Sequence, residues 1–390
     1  MKNMQAYSSR GVSATKEEVH NAVKKHDLGL YPGAFCKIVE DVCGNPQYCS
    51  IMHTDDAGTK AIVAYLLYKE LNDPSAFAGI AIDSAVMNLD DMVCIGAYGN
   101  FIFSNTIGRN AHRISGEAIS AIIDSYVNFC EMMRKYGVNI QMCGGETSDT
   151  GDIVATIFID STFFSRLKRS QVIDCDNIKP GDVIVGLASF GEPAVYESEY
   201  NSGIGSNGLT AARHILLSNI YKAKYPETYS ETINDELAYS GKYKITDNLP
   251  GTNLTVGKAL LSPTRTYTPI LKEILEKNHA QVHGIVHCTG GGQTKCGKFG
   301  KNVRYVKDNL FPTPPIFEEI RKSGQISAKE MYQVFNMGHR IELFCNAEIV
   351  NDIIAAAKKY NVDAKIIGRV EKSDGVNQVI ISDNGEVHEF

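Results

Sequence analysis

Between Gly79 and Ala97 the sequence is apolar and built of small residues, yet it carries Asp83, Asn88, Asp90 and Asp91. A helix of that composition is buried, and a buried carboxylate is costly unless a cation or strong donors meet it. Any fold of this chain must therefore bring partners to these acids. Asp83 and Met87 stand four apart on one helical face, with Asp90 and Asp91 two turns beyond Asp83. Upstream, residues 48–54 read as a strand that ends in Asp55-Asp56-Ala57-Gly58-Thr59-Lys60, and Ala61 to Leu71 read as the helix after it. Carboxylates hold Mg²⁺ through a few oxygens while leaving positions for phosphate ligands. Glycines let backbone N–H groups close on phosphate oxygens, and Lys60 offers a point charge. The bland reading of such acids is solvated loop charge. The apolar surroundings of Asp91 and the Gly-Thr-Lys beside Asp55 favour metal or phosphate chemistry instead. The usual phosphate loop of Gly, four residues and Gly-Lys-Ser/Thr is missing, so a nucleotide site here is of another kind.

A chain of 390 residues exceeds one ordinary core, which predicts two domains. Periodicity gives way to charge and turn residues over Arg166–Asp182, ending in Lys179-Pro180-Gly181-Asp182, so the domains are expected over 1–170 and 171–390. Helices are expected over Lys16–Lys25, Ile114–Tyr136, Thr210–Ser218, Tyr267–Lys277, Ser327–Phe335 and Ala347–Tyr360. Strands are expected over Tyr98–Ser104, Ile153–Ile159, Val183–Ser189, His283–Cys288, Arg340–Cys345, Ala364–Val370 and Gln378–Ser382. Their short, irregular alternation predicts mixed α+β sheets rather than one parallel sheet. The tyrosine-rich stretch 222–256 reads as a surface excursion or a substrate-side loop rather than a third domain. A formal charge of -6 excludes a basic face for nucleic acid and a polybasic membrane anchor. No run approaches a membrane span, the polar first residues lack the apolar core of a signal peptide, and the scattered cysteines form no Cys-x-x-Cys pair. A cytoplasmic protein with reduced thiols is the expectation.

Several glycine phrases complete the set. Gly144-Gly145-Glu146-Thr147 reads as a turn in isolation, but beside the acids Glu146 suits a metal shell. Gly205-Ser206-Asn207-Gly208 precedes a helix, where backbone amides suit an anion and where a plain N-cap is the alternative. Thr289-Gly290-Gly291-Gly292 follows a strand, and three glycines in a row are costly unless something approaches the backbone. His287 beside it is either a satisfied core histidine or a working one.

In this order the phrases resemble the aminoimidazole ribonucleotide synthetase family, also called the phosphoribosylformylglycinamidine cyclo-ligases. The matching residues are Asp55 to Lys60; Asp83, Met87, Asp90-Asp91 and Gly96-Ala97; Gly144 to Thr147; Ser206 to Gly208; Pro263 to Arg265; His287 to Gly292; and Phe335 to Gly338. The resemblance implies an N-terminal mixed-sheet domain that pairs with its twin in a homodimer, and a C-terminal α/β domain. It implies ATP and Mg²⁺ as cofactors and formylglycinamidine ribonucleotide as substrate, closed to an imidazole. Metal ligation falls to Asp55, Asp91 and Glu146; catalysis to Lys60, Asp91 and Glu146; and nucleotide contact to Asp55, Gly58, Thr59, Lys60, Gly144, Gly145 and Thr147. Substrate or phosphate would meet Ser206, Asn207, Gly208, His287, Thr289, Gly290, Gly291 and Gly292. A small-molecule kinase of the same superfamily and a silent nucleotide-binding paralogue are the alternatives. The chain departs from the family's phrases in three places, the first being Asp56, where the family's acidic loop has Gly. Gly205 stands where the phrase has His, and Gly338-His339-Arg340 stands where it has Gly-x-Gly. An insertion-like stretch, Glu192 to Gly203, precedes the Ser-Asn-Gly loop.

Overall fold

The computed structural model describes residues 6–12, 21–23 and 26–390. Most of the helix expected over Lys16–Lys25 lies outside them. Two mixed sheets carry the fold. The first contains β1 (Val39–Glu40), β2 (Tyr48–Asp56), β3 (Asn100–Arg109), β4 (Asn139–Asp149) and β5 (Ile157–Lys168), in the order β1-β2-β5-β3-β4. Only β3 and β4 run parallel; the other pairs are antiparallel. Burial along β5 alternates, so one face of this sheet is core and the other is open. The helices Ala78–Val93 and Gly116–Lys135 cover the core face, and Ser115 caps the second by accepting from Ala118 N.

The second sheet contains β6 (Val183–Ala188), β7 (Val282–His287), β8 (Val303–Lys307), β9 (His339–Cys345), β10 (Ala364–Lys372), β11 (Gln378–Asp383) and β12 (Glu386–Glu389). Their order is β12-β11-β8-β10-β6-β9-β7, with β8 and β11 parallel. Ile270, Ile274, Ile353 and Ala357 from the helices Thr268–Asn278 and Val350–Lys359 pack in one cluster with Val185, Leu187 and Leu343 of the sheet. The expected mixed α+β architecture is the one observed.

Two local expectations need correction and a third needs refinement. The Gly144–Thr147 phrase is not a turn but part of edge strand β4. Strands β4 and β8 went unread because the first is glycine-rich and polar and the second ends in a lysine. The stretch 222–256 runs along the surface as expected, but it is anchored by side chains that reach the core. Tyr221, Tyr225 and Tyr239 are buried and pack on one another, and buried Arg213 donates to Thr228 O at 3.0 Å and Tyr239 Oη at 2.9 Å. Polar tips gave these tyrosines a solvent-facing appearance in sequence, while their rings fill a core. Ser327 and Glu330 stand at the spacing of a capping box, and the Ser327 hydroxyl accepts from Glu330 N at 3.2 Å. The Glu330 side chain instead accepts from Tyr7 N at 2.8 Å.

Candidate active site at the acidic helix

The helix Ala78–Val93 lies between the two sheets' units and sends its acids to different partners. Asp83 accepts from Lys60 Nζ at 2.8 Å, Thr264 N at 2.7 Å and Thr264 Oγ1 at 2.6 Å, all through Oδ1. Lys60 also donates to Ser262 O at 2.6 Å, and both members of the ion pair are 0% exposed. Burial pushes the Lys60 ammonium down, and Asp83 opposes that shift. Asp90 is equally closed in, accepting from Thr266 Oγ1 at 2.7 Å, Tyr267 N at 3.1 Å and Thr268 Oγ1 at 2.9 Å. Asp83 and Asp90 therefore staple the helix to the segment Ser262–Thr268, within which Arg265 pairs with Glu197 at 2.7 Å. The sequence pattern assigns Lys60 to a nucleotide. The structure instead places it inside a closed ion pair, because the lysine opens its helix pointing into the core rather than along the loop.

Asp91 is different. Its Oδ1 accepts from His287 Nδ1 at 2.6 Å, and His287 Nε2 accepts from Arg340 Nη2 at 2.8 Å. A guanidinium only donates, so this contact fixes His287 as the neutral Nδ1–H tautomer. Burial, with the charge of Arg340, pushes His287 down to about 4. Burial alone would raise Asp91, but Lys295 and the His287 hydrogen bond outweigh it and hold the carboxyl at about 2. Asp55, at the end of β2, is pushed up to about 6 by burial and by the charge of Asp91. The second oxygen of Asp91 faces His53 Nε2 at 3.6 Å. Asn88 spends its amide N–H bonds on Ser84 O and Ser161 O, so its Oδ1 accepts from His53 Nδ1 at 2.9 Å. The His53 Nε2 lone pair is thus turned toward a carboxylate. Two acceptors face each other there, an arrangement that a proton or a cation between them resolves. Cys36 Sγ, His53 and Asp91 offer ligand atoms all within 4.8 Å of one another. Burial holds the Cys36 thiol well above its ordinary range, so the thiolate is not the favoured donor.

The glycine phrases of the second sheet interlock nearby. A Cβ on Gly208, whose φ is +80°, would lie 2.3 Å from the Phe335 ring, and one on Gly292 would lie 2.6 Å from Phe335 O. Asn336 donates to Gly203 O at 2.8 Å and accepts from Ser189 Oγ at 2.8 Å. Ser206 Oγ meets Thr264 Oγ1 at 3.0 Å, which joins the Ser-Asn-Gly loop to the Asp83 staple. Gly290 has open space where a side chain would be. Lys295, just past the glycine run, donates to Thr289 Oγ1 at 2.5 Å and sits 4.3 Å over the Phe35 ring. It is the cation that acts on Asp91, and sequence reasoning missed it together with His53. Both had a signal: a lysine close behind a glycine run, and a histidine two residues before an acidic loop.

Glu146 does not join Asp55. Across the first sheet Glu146 pairs with Thr106, Thr106 with Asp160, and Asp160 with Asp56. Glu146 thus shares a row with Asp56, while Asp55 lies in the row of Ser161 and Asn105. Side chains alternate faces along a strand, and three strand spacings are about 14 Å. Within one chain Glu146 and Asp55 cannot share an ion. A separate pocket of about 260 Å³ lies behind Thr264, lined by Gly79, Ile82, Phe129, Tyr196 and Leu261. It includes neither Asp55, Asp91 nor His287.

An acidic helix stapled to one unit and facing the glycine loops of another defines a protein of the AIR synthase type. The model "AIR synthase related protein, N-terminal domain" matches residues 36–165, and its C-terminal counterpart matches 179–380. The chain belongs to this family. The phosphoribosylformylglycinamidine cyclo-ligase of Methanocaldococcus jannaschii is 33% identical to it over 356 residues, covering 91% of this chain and 85% of that protein. The cyclo-ligase of Methanococcus vannielii is 30% identical over 365 residues, covering 92% and 86%. Among solved structures, T. maritima PurL complexed with ATP aligns with a TM-score of 0.56 at 12% identity, over 99% of this chain and 50% of that one. AaThiL complexed with AMPPCP and TMP aligns at 0.56 and 13% identity, over 95% and 94%. At those identities the likeness is one of fold. No helix among the described residues is long and apolar enough to cross a membrane, and every cysteine is free.

Proposed function

We propose that this chain catalyses the ATP-dependent closure of formylglycinamidine ribonucleotide to aminoimidazole ribonucleotide, with release of ADP and phosphate, in purine biosynthesis. The observation that carries the reading is the convergence on Asp91 of His287 and Lys295 from the glycine-run segment of the second sheet. The cyclo-ligase relatives, at about a third identity over most of the chain, support the same reaction. In that reaction the formyl oxygen attacks the γ-phosphorus and ADP departs. An internal nitrogen then attacks the activated carbon, the C–O bond breaks to release phosphate, and the ring nitrogen loses a proton. Alignment and charge stabilisation supply most of the rate in phosphoryl transfer.

Asp55 and Asp91 fit Mg²⁺ by chemistry: both offer hard oxygens, each raises the cost of ionising the other, and an acceptor pair at His53 and Asp91 faces inward. When bound, Mg²⁺ would neutralise triphosphate charge. Gly58 and Thr59, beside Asp55, are assigned to the nucleotide. Lys295, rather than Lys60, takes the phosphate-neutralising role, and Lys60 holds Asp83 and Ser262. Neutral His287 donates its Nδ1–H to Asp91 and orients that carboxylate. The amides of Thr289–Gly292 and Ser206–Gly208 are assigned to the substrate's phosphate. Residues 1–170 and 171–390 serve as the nucleotide and substrate domains.

A homodimer through the open face of the first sheet completes the reading. Met52 and Ile102 both lie opposite Phe164 on that face and are 68% and 49% exposed, with Phe158 at 38%. Met52, Phe164 and Ile102 stand side by side as an apolar row across three strands, and an exposed row of that kind marks an interface. Light scattering that gave a monomer mass at micromolar concentration would remove this part. The reaction itself is tested by measuring ADP release from the purified protein with Mg-ATP, with and without formylglycinamidine ribonucleotide, and by mass detection of the ring product. Substrate-dependent ADP matched one-for-one by aminoimidazole ribonucleotide is expected. A stable phosphorylated product would indicate a kinase, and nucleotide binding without turnover a silent paralogue.

A further inference from the structure

Arg340 is the second residue of β9 and is 2% exposed. Its Nη2 donates to His287 Nε2 at 2.8 Å and to Met87 Sδ at 3.4 Å, whereas Nη1 is buried with no hydrogen-bond partner. A buried donor left unpaired is destabilising, so its retention calls for a reason. Nη1 faces Gly205. A Cβ built there would lie 2.9 Å from Nη1 and 3.1 Å from Cζ, and the Gly205 φ of +66° disfavours a side chain as well. Gly205 is followed directly by Ser206-Asn207-Gly208, the loop assigned to the substrate's anion. Both positions in contact are among the three at which the chain departs from its family's phrases, with Gly for His at 205 and Arg for Gly at 340.

We infer that Gly205 and Arg340 are one exchanged pair, in which the donor side chain beneath the Ser206 loop arrives from β9 instead of from the loop. Arg340 is then a positioning residue. Its fork holds the His287 ring with Nε2 as acceptor, commits the Nδ1–H to Asp91, and places a fixed positive charge under the loop that receives anionic oxygen. Glycine at 205 is the steric condition for that placement. Lysine is a poor substitute, because a single ammonium on a flexible stem cannot hold the ring and face the loop at once.

The catalytic role rests on the cyclo-ligase reading; the pairing does not, and two measurements separate them. The first is an unfolding cycle on the full chain without ligands, using Gly205→Ala, Arg340→Gly and the double variant. Gly205→Ala should lower the thermal midpoint by about 4 °C or more, and when Arg340→Gly is already present that loss should shrink to the part set by the left-handed backbone at 205. Additive effects would overturn the pairing. The second is steady-state kinetics on Arg340→Gly, Arg340→Lys and Gly205→His/Arg340→Gly. Arg340→Gly should lower kcat by about 100-fold while Mg-ATP still binds. Arg340→Lys should recover only a small part, and the double exchange should recover most of it. Retention of kcat within about threefold in Arg340→Gly, or a double exchange no better than Arg340→Gly alone, would overturn the positioning role. If the parent protein turns over no formylglycinamidine ribonucleotide, the cyclo-ligase reading fails, and the pairing is decided by the unfolding cycle.

Discussion

Asp90 and Asp91 are adjacent on one helix and do opposite things. Asp90 turns to the segment Thr266–Thr268, where two hydroxyls and a backbone amide take up its oxygens. Burial pushes it up to about 6 against those donors. Asp91 turns to His287 and His53, lies in the field of the Lys295 cation, and is held at about 2. One carboxylate is surrounded by neutral donors and closes a seam. The other is surrounded by ionisable and cationic groups and keeps an oxygen turned toward an acceptor. What separates these two neighbours is therefore not burial, which both share, but that both oxygens of Asp90 meet neutral donors while one oxygen of Asp91 still faces an acceptor.

The largest test of this contrast is at Asp83, the deepest of the structural acids. Asp83→Ala strands the Lys60 ammonium in a fully buried site, and losing one partner of a buried pair costs about 3–5 kcal/mol. Denaturant unfolding should show that loss; an unchanged midpoint would mean that Lys60 is free to serve the nucleotide after all. Next comes Asp91→Asn, which should lower turnover by about 100-fold or more and lower the unfolding midpoint at neutral pH by less than Asp83→Ala does. A variant active within a fewfold would collapse the distinction between Asp91 and its neighbour.

The pH dependence of stability sharpens the comparison further, since the two shifts have opposite signs. Asp90, raised from 3.8 to about 6, contributes stability that is complete below 3.8 and is lost as pH rises through about 6. Asp91, lowered from 3.8 to about 2, contributes stability that is present above 3.8 and is lost as pH falls through about 2. Asp90→Asn should therefore flatten the decline between pH 4 and 7, and Asp91→Asn should flatten the fall below pH 4. Unfolding midpoints across that range would read both, and a parallel displacement of the whole curve by either variant would contradict the assignment. The smallest effect is expected at Glu146, exposed on the edge strand. Glu146→Gln should shift stability by less than about 0.5 kcal/mol, and metal-dependent nucleotide binding by its own chain should persist.

Much of the architecture was legible because it rests on periodicity. The alternation that ends at Asp55 and the small-residue run around Asp91 are local patterns, and the structure carries β2 and the helix Ala78–Val93 there. The tyrosine stretch was not legible, because a polar tip and an apolar ring leave burial undecided until the neighbours of each tyrosine are known. Lys60 escaped for a related reason. Its loop suggested a phosphate, but the direction of its side chain was set by Asp83, 23 residues away, and by the carbonyl of Ser262, 202 residues away.

By itself the sequence determined which residue types the site contains, because glycines, carboxylates and a histidine in a given order express local backbone freedom and intrinsic chemistry. It also determined that the helix Ala78–Val93 would need partners, since apolar composition and acidic charge conflict wherever such a helix packs. Only the tertiary structure decided which partner each acid received. Hydrogen bonds and ion pairs act over a few ångströms, and the groups that complete Asp83, Asp90 and Asp91 lie between 23 and 196 residues away along the chain.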